Sequence, residues 1–196
     1  NFWSLIKLKN IHYSSVMVTH INYLYYFRKK IDHPLEALFC GGAKLDVNIQ
    51  KKFCKYFKTK ILTNYGLTEV SSIASSETLK NFNTGTAGSA LYNNKIIIKK
   101  KDEKEKFGEI CIKGKNLFRE YYKDTKNTSM KMNRGYFLTG DLGYIDKKGN
   151  LFLKDRIDNM FIVSGENIYP NEIENYANNY KGIKNSFVMG INDKIT

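Results

Sequence analysis

The chain has 196 residues, of which 42% are hydrophobic and 26% charged; that is enough for one large or two small folded domains and excludes wholesale disorder. Its 32 Lys and Arg exceed its 19 Asp and Glu, a net charge of +13 that admits anionic partners, yet only Arg28, Arg119, Arg134 and Arg156 are arginines, too few for a code that reads base edges. No stretch approaches ~18 apolar residues, which excludes a membrane-spanning helix, and Cys40, Cys54 and Cys111 are odd in number with no Cys-x-x-Cys pair, which argues against a disulfide framework or zinc ribbon and fits a reducing cytoplasm.

The opening Asn-Phe-Trp-Ser-Leu lacks Met and reads as a start in mid-protein. His12, His20 and His33 lack metal-ligand spacing and read as structural or solvated. Ser15 to Lys30 is expected to be helical, on Val16, Ile21, Leu24 and Phe27. Leu35 to Cys40 is a short apolar run that stops at Gly41-Gly42, as a buried strand does on entering a tight turn. Asp46 is a good N-cap, and Ile49, Phe53, Cys54 and Phe57 after it make one helical face. Ile61-Leu62 resumes as a strand and runs into Asn64-Tyr65-Gly66-Leu67-Thr68-Glu69. Two strand exits with a helix between them suit neighbouring parallel strands.

After Gly85 the texture turns to β. Ile96 to Ile98 and Gly108 to Gly114 read as strands around a charged tip at Lys99 to Lys106. Tyr136 to Leu138, Leu142 to Asp146 and Leu151 to Leu153 continue it, with Lys148-Gly149-Asn150 as a turn and Thr139 to Leu142 open to a hairpin-turn reading. Met160 to Val163 leads into Ser164-Gly165, and Pro170 opens a helix with Ile173, Tyr176, Ala177 and Tyr180 on one face. Ser186 to Ile191 is expected to be a last strand. A boundary is expected near Asp155 to Asp158.

P-loop, Gly-x-Ser-x-Gly and His-Glu-x-x-His signatures are absent. What remains is a series of Gly-containing loops, each weak alone. In order, these are Gly41-Gly42-Ala43-Lys44-Leu45, Tyr65-Gly66-Leu67-Thr68-Glu69, Gly108-Glu109-Ile110-Cys111-Ile112-Lys113-Gly114, Gly135-Tyr136-Phe137-Leu138-Thr139-Gly140-Asp141-Leu142, Asp155-Arg156-Ile157-Asp158 and Ser164-Gly165-Glu166-Asn167-Ile168-Tyr169-Pro170. Together they closely resemble the motifs of the adenylate-forming enzymes, the superfamily of acyl-CoA synthetases, luciferases and peptide-synthetase adenylation domains. The Gly-Glu-Asn-Ile-Tyr-Pro wording is nearer to acyl- and aryl-CoA synthetases than to amino-acid adenylation domains.

The resemblance implies a mixed α/β fold: residues 1–157 end a large AMP-binding domain, with a small β subdomain at about 85–157, and residues 158–196 start a C-terminal lid. It implies activation of a small carboxylic acid by ATP through an acyl-adenylate, with magnesium, then transfer to coenzyme A, or alternatively to the phosphopantetheine of an acyl carrier protein. Nucleotide-binding positions would be Gly41, Gly42, Ala43, Asn64, Tyr65, Gly66, Thr68, Asp141 and Arg156. Thr68 and Glu69 would be catalytic, with Glu69 on the metal. Asp158 would be the hinge, and Ser164 and Gly165 would line the CoA tunnel. The side chains permit these roles: Tyr65 can stack on adenine, Asp141 can accept from both ribose hydroxyls, Arg156 offers a rigid fork and Glu69 is a hard oxygen ligand. Asn64 stands where many members carry Gly. The family's phosphate loop and terminal catalytic Lys have no counterpart, since Lys194 falls too near the 188–193 stretch, so the chain is expected to be an inactive fragment. A basic anion- or RNA-binding module is the rival; scattered Lys, and acidic residues in the motif loops, argue against specific nucleic-acid binding.

Overall fold

A computed structural model describes residues 2–29, 31–164 and 166–191. The first layer is built as α1 (Phe2–Leu8), β1 (Tyr13–Met17), α2 (Val18–Tyr26), β2 (Ala37–Gly41), α3 (Val47–Phe57) and β3 (Lys60–Tyr65). β1, β2 and β3 lie side by side and parallel, in register Val16 to Cys40 and Cys40 to Thr63. A 3-10 turn at Thr68–Val70 follows, then β4 (Ser75–Ser76) and β5 (Ser89–Ala90), which extend the sheet antiparallel.

α3 forms where expected. The Asp46 side chain accepts from the Ile49 N–H at 2.8 Å, and Lys58 closes the helix in the left-handed conformation. Phe53 and Phe57 are buried against Leu38 and Ile61; a fully buried Phe contributes about 1.5–3 kcal/mol. Gln50, on the same helix, is also buried. Its amide donates to the Ile61 carbonyl and accepts from Gly85 N–H, both at 3.0 Å, so α3 is tied to β3 and to the loop before β5.

The second layer is an antiparallel sheet in the order β10, β9, β7, β6. Its elements are β6 (Asn94–Lys99), β7 (Gly108–Gly114), α4 (Thr125–Lys131), β8 (Met132–Asn133), β9 (Tyr136–Ile145) and β10 (Leu151–Arg156), with β8 pairing only with β9. Ile110, Ile112 and Leu151 are buried with Tyr65, Val70 and Ala87, and this cluster joins the two layers. A 3-10 turn at Ile157–Asn159 leads to the hairpin β11 (Phe161–Val163) and β12 (Glu166–Ile168), and then α5 (Pro170–Ala177).

Three expectations need correction. The helix expected over Ser15 to Lys30 is split: Tyr13–Met17 is a strand and the helix covers only Val18–Tyr26. Val16 points into the core from β1, so sheet pairing overrides the blurred helical spacing. Thr139 to Leu142 is not a turn. β9 runs straight through it, with Gly140 at φ +75° and register shifts against both neighbours. Residues 186–191 form no strand. Instead Ser186 Oγ donates to the Glu174 carbonyl and Val188 N–H to Glu174 Oε1, so this segment hangs on α5 by a carboxylate.

Candidate functional site

The carboxyl ends of β2 and β3 lie together because the strands are parallel, and both exits are cleared of side chains. A Cβ built on Gly41 would lie 2.0 Å from Asn64 Oδ1, and one on Gly66 would lie 1.6 Å from the Ser72 carbonyl oxygen. Gly42 adopts φ +85°, which turns the chain off the sheet. Crevices at such strand ends are where open α/β sheets bind ligands.

Tyr65, the last residue of β3, is buried, and its hydroxyl donates to Asp141 Oδ2 at 2.6 Å. Asp141 reaches it from β9, just after the Gly140 irregularity. The buried Thr139 braces that point: its hydroxyl donates to the Ile110 carbonyl and accepts from Asp141 N–H. Asp141 Oδ1 accepts from Arg156 Nη1 at 2.9 Å, and Arg156 Nη2 donates to Asp158 Oδ2 at 3.3 Å. Burial, reinforced by the neighbouring Asp141 carboxylate, pushes the Tyr65 phenol well above its usual value, so it stays a donor at any ordinary pH. Partial burial works against the charge on Arg156, and Asp141 and Asp158 more than offset it.

Gly42, Ala43, Asn64, Tyr65, Gly66, Asp141 and Arg156 therefore line one cleft of about 300 Å³. A wider neighbouring cleft of about 690 Å³ shares Gly42, Asn64 and Gly66 and adds Gly41, Thr68 and His20. Glu69 lines neither of them. It sits on the 3-10 turn beyond Thr68, with Oε1 accepting from the Tyr121 hydroxyl at 2.7 Å. Asp158 touches the first cleft only through Arg156. Ser164 is exposed and apart from both clefts, and Gly165 lies outside the described residues. A third, lysine-rimmed cavity of about 440 Å³, between the β6–β7 tip and Met160, contains none of the expected site residues.

Sequence reasoning passed over several contributors. Lys44, Lys154, Asp155, Asn159 and Asn171 also line the first cleft. Lys44 Nζ donates to the Lys154 carbonyl, Lys154 pairs with Glu172 at 2.9 Å, and Asp155 Oδ2 accepts from Asn171 N–H at 3.3 Å, so α5 is tied to the end of β10. The available signal was membership of a motif block for Lys44 and Asp155, and nearness to the Asp155–Asp158 block for Lys154 and Asn159. Burial pushes the Cys40 and Cys111 thiols up to about 11, which removes both as thiolate nucleophiles near neutral pH.

No group of three His, Cys, Asp or Glu side chains among the described residues is placed to hold a metal. Glu69 alone fits magnesium in a different way. Among the described residues only Oε1 of its carboxylate is hydrogen-bonded, and magnesium is commonly held by one or two carboxylates together with substrate phosphates.

A glycine-cleared cleft at parallel strand ends, with an aromatic, a carboxylate and a guanidinium linked across it, marks a ligand-binding α/β protein of the nucleotide-handling type. The chain belongs to the AMP-binding enzyme family, whose pattern it matches over residues 2–122. It is 29% identical to the 2-succinylbenzoate–CoA ligase of Bacillus licheniformis, covering 96% of this chain and 40% of that protein. It is 35% identical to the enzyme of the same name from Staphylococcus epidermidis, over 81% of this chain and 34% of the relative. Among solved structures it superposes on the Bacillus subtilis O-succinylbenzoate coenzyme A synthetase in complex with ATP and magnesium ion. There the TM-score is 0.85 and the identity 26%, with 97% of this chain and 41% of that one covered. The chain thus spans between a third and about two fifths of the length of these relatives, and the mixed α/β fold is theirs. Among the described residues no helix is long and apolar enough to cross a membrane.

Proposed function

We propose that the protein carrying this chain is an AMP-forming acid–thiol ligase. It joins a carboxylic acid to the α-phosphate of ATP, releasing pyrophosphate, and then passes the acyl group to the thiol of coenzyme A with release of AMP. The observation that carries this reading is the Tyr65–Asp141–Arg156 linkage across the cleft.

In this reading the tyrosine ring offers adenine a rigid face, and its hydroxyl holds Asp141 at an angle where the remaining lone pairs can accept from ribose hydroxyls. Arg156 supplies a planar cation beside the same carboxylate. Gly41, Gly42, Ala43 and Gly66 let the nucleotide approach the backbone, Asn64 meets the base edge, and Thr68, which lines the wider cleft, donates to a phosphate oxygen. Glu69 would hold magnesium, which neutralises phosphate charge when bound. Residues 1–157 form the end of the large domain and 158–196 the start of a lid that pivots at Asp158, with Ser164 and Gly165 on the thioester side.

The names of the relatives make an aromatic dicarboxylate of the 2-succinylbenzoate class the first acid to test. At full length, pyrophosphate release from ATP is expected only when such an acid is supplied, and Asp141→Ala is expected to raise the ATP concentration needed for half-maximal rate. The 196-residue chain alone is expected to make no acyl-adenylate. Acid-independent pyrophosphate release, or an Asp141→Ala enzyme with unchanged ATP dependence, would overturn the assignment.

A further inference from the structure

Glu69 is held by a segment that neither cleft includes. Residues 115–122 form no helix or strand, yet they are stitched to the turn that carries Glu69. Asn116 Nδ2 donates to the Val70 carbonyl at 2.8 Å, Ser71 Oγ to the Asn116 carbonyl at 2.9 Å and Phe118 N–H to the Glu69 carbonyl at 2.7 Å. The Tyr121 hydroxyl completes the set on Glu69 Oε1 at 2.7 Å. Tyr121 is itself braced. Its N–H donates to Thr128 Oγ1, whose hydroxyl donates to the Asp124 carbonyl, and its ring meets Phe118 edge-on at 4.7 Å. Among the described residues Tyr121 is the only side chain hydrogen-bonded to the Glu69 carboxylate.

From this geometry we propose that Tyr121 is a positioning residue for the metal: it fixes the Glu69 carboxylate with one oxygen occupied and the other presented to magnesium. The inference rests on the reading of Glu69 as the metal ligand given above. A half-buried glutamate on a turn still samples several rotamers when nothing holds its carboxylate, and these must be frozen out before a metal is bound. A phenol suits the task because it is neutral. A lysine or arginine at the same distance would hold the carboxylate equally well but would cancel much of the charge the metal needs. Partners of this outer kind typically change metal affinity by about 10–100-fold when removed.

The test uses the full-length protein with Mn2+ in place of magnesium and the α,β-methylene analogue of ATP, so that no turnover occurs. Free Mn2+ is read by electron paramagnetic resonance, and nucleotide binding is measured separately with chelator present. Tyr121→Phe is expected to weaken Mn2+ binding about tenfold, to leave metal-free nucleotide binding unchanged, and to add nothing once Glu69→Gln is present. Thr128→Val, which removes only the brace, should shift Mn2+ binding in the same direction by less, and it serves if Tyr121→Phe does not fold. If Glu69→Gln leaves Mn2+ binding intact, the metal reading itself fails. If Glu69→Gln weakens it while Tyr121→Phe and Thr128→Val do not, or if both weaken metal-free nucleotide binding equally, only the positioning role is overturned.

Discussion

Removing the Tyr65 hydroxyl isolates the contact that joins the two layers at the cleft. The donor is 8% exposed, the Asp141 side chain is 17% exposed and their oxygens are 2.6 Å apart. A hydrogen bond to an ionised acceptor contributes about 1.5–3 kcal/mol net. Asp141 retains Arg156, but that guanidinium is 48% exposed, and ion pairs so open to solvent contribute about 0–1 kcal/mol. Tyr65→Phe is therefore expected to cost about 2 kcal/mol of stability. In a double-mutant cycle with Asp141→Ala the pair should show a coupling of about 1.5 kcal/mol, against about 0.5 kcal/mol for the cycle of Arg156→Met with Asp141→Ala. Urea unfolding of the chain near neutral pH reads all the variants. A Tyr65–Asp141 coupling no larger than that of Arg156–Asp141 would refute the view that the buried phenol, not the guanidinium, sets the carboxylate.

Glu77 is buried and accepts from Thr63 N–H, the Thr63 and Thr86 hydroxyls and Asn83 N–H. Burial raises its pKa above the ordinary glutamate value of 4.5 despite those donors. Its contribution is therefore complete below pH 4.5 and falls as pH rises through the raised folded value. The stability of the wild-type chain relative to Glu77→Gln should accordingly shrink across that interval in urea unfolding and then level off; a widening gap would reverse the sign of the shift. Gly66→Ala sets a Cβ 1.6 Å from backbone, whereas Gly42→Ala meets no atom within 4 Å and suffers only its φ of +85°. Thermal melts should show a loss of about 3 kcal/mol or more for the first and about 1–2 kcal/mol for the second; the opposite order would mean that Ser72 moves freely.

Elements whose signal is local could be read from the sequence. Asp46 with the Ile49, Phe53, Cys54 and Phe57 face specifies α3 without help from the rest of the chain, and the alternation in Gly108 to Gly114 specifies β7. β1 could not be read, because what makes Val16 strand is the neighbouring β2, some 20 residues on. Ser186 to Ile191 has strand composition but no partner strand among the described residues, and its polar groups go to Glu174 instead. The motif blocks pointed to the cleft residues one by one. The bond between Tyr65 and Asp141 was invisible, because it spans 76 positions and depends on the register shift of β9 around Gly140. Tyr121 was invisible for a related reason: its segment has no periodicity, and its partner lies 52 positions back.

Arg156 stands where cleft and proposed hinge meet, and its two bonds are unequal. The one to Asp141 is 2.9 Å long with a mostly buried acceptor, while the one to Asp158 is 3.3 Å with an acceptor 70% exposed. A turn of the chain at Asp158 would therefore break the weaker bond and leave the cleft side of Arg156 in place. Other ties across that point are Lys154 with Glu172, the Lys154 ammonium 4.1 Å from the centre of the Tyr169 ring, and Asp155 with Asn171 N–H at 3.3 Å. Glu172 is 62% exposed, which limits its pair to about 0–1 kcal/mol. The Asp155 bond is long, and its carboxylate keeps Arg156 N–H at 2.7 Å and the Asn159 side chain when it is lost. Each of these polar ties is weak enough to yield to ligand-driven change, since shifts of a few kcal/mol suffice to invert a two-state population. The contacts that shape the cleft, Tyr65 to Asp141 and Thr139 to Ile110, lie on the other side of that division and are buried. In the function proposed above, these buried contacts would keep the nucleotide side of the cleft fixed while the exposed ties let the segment beyond Asp158 reorient between two half-reactions.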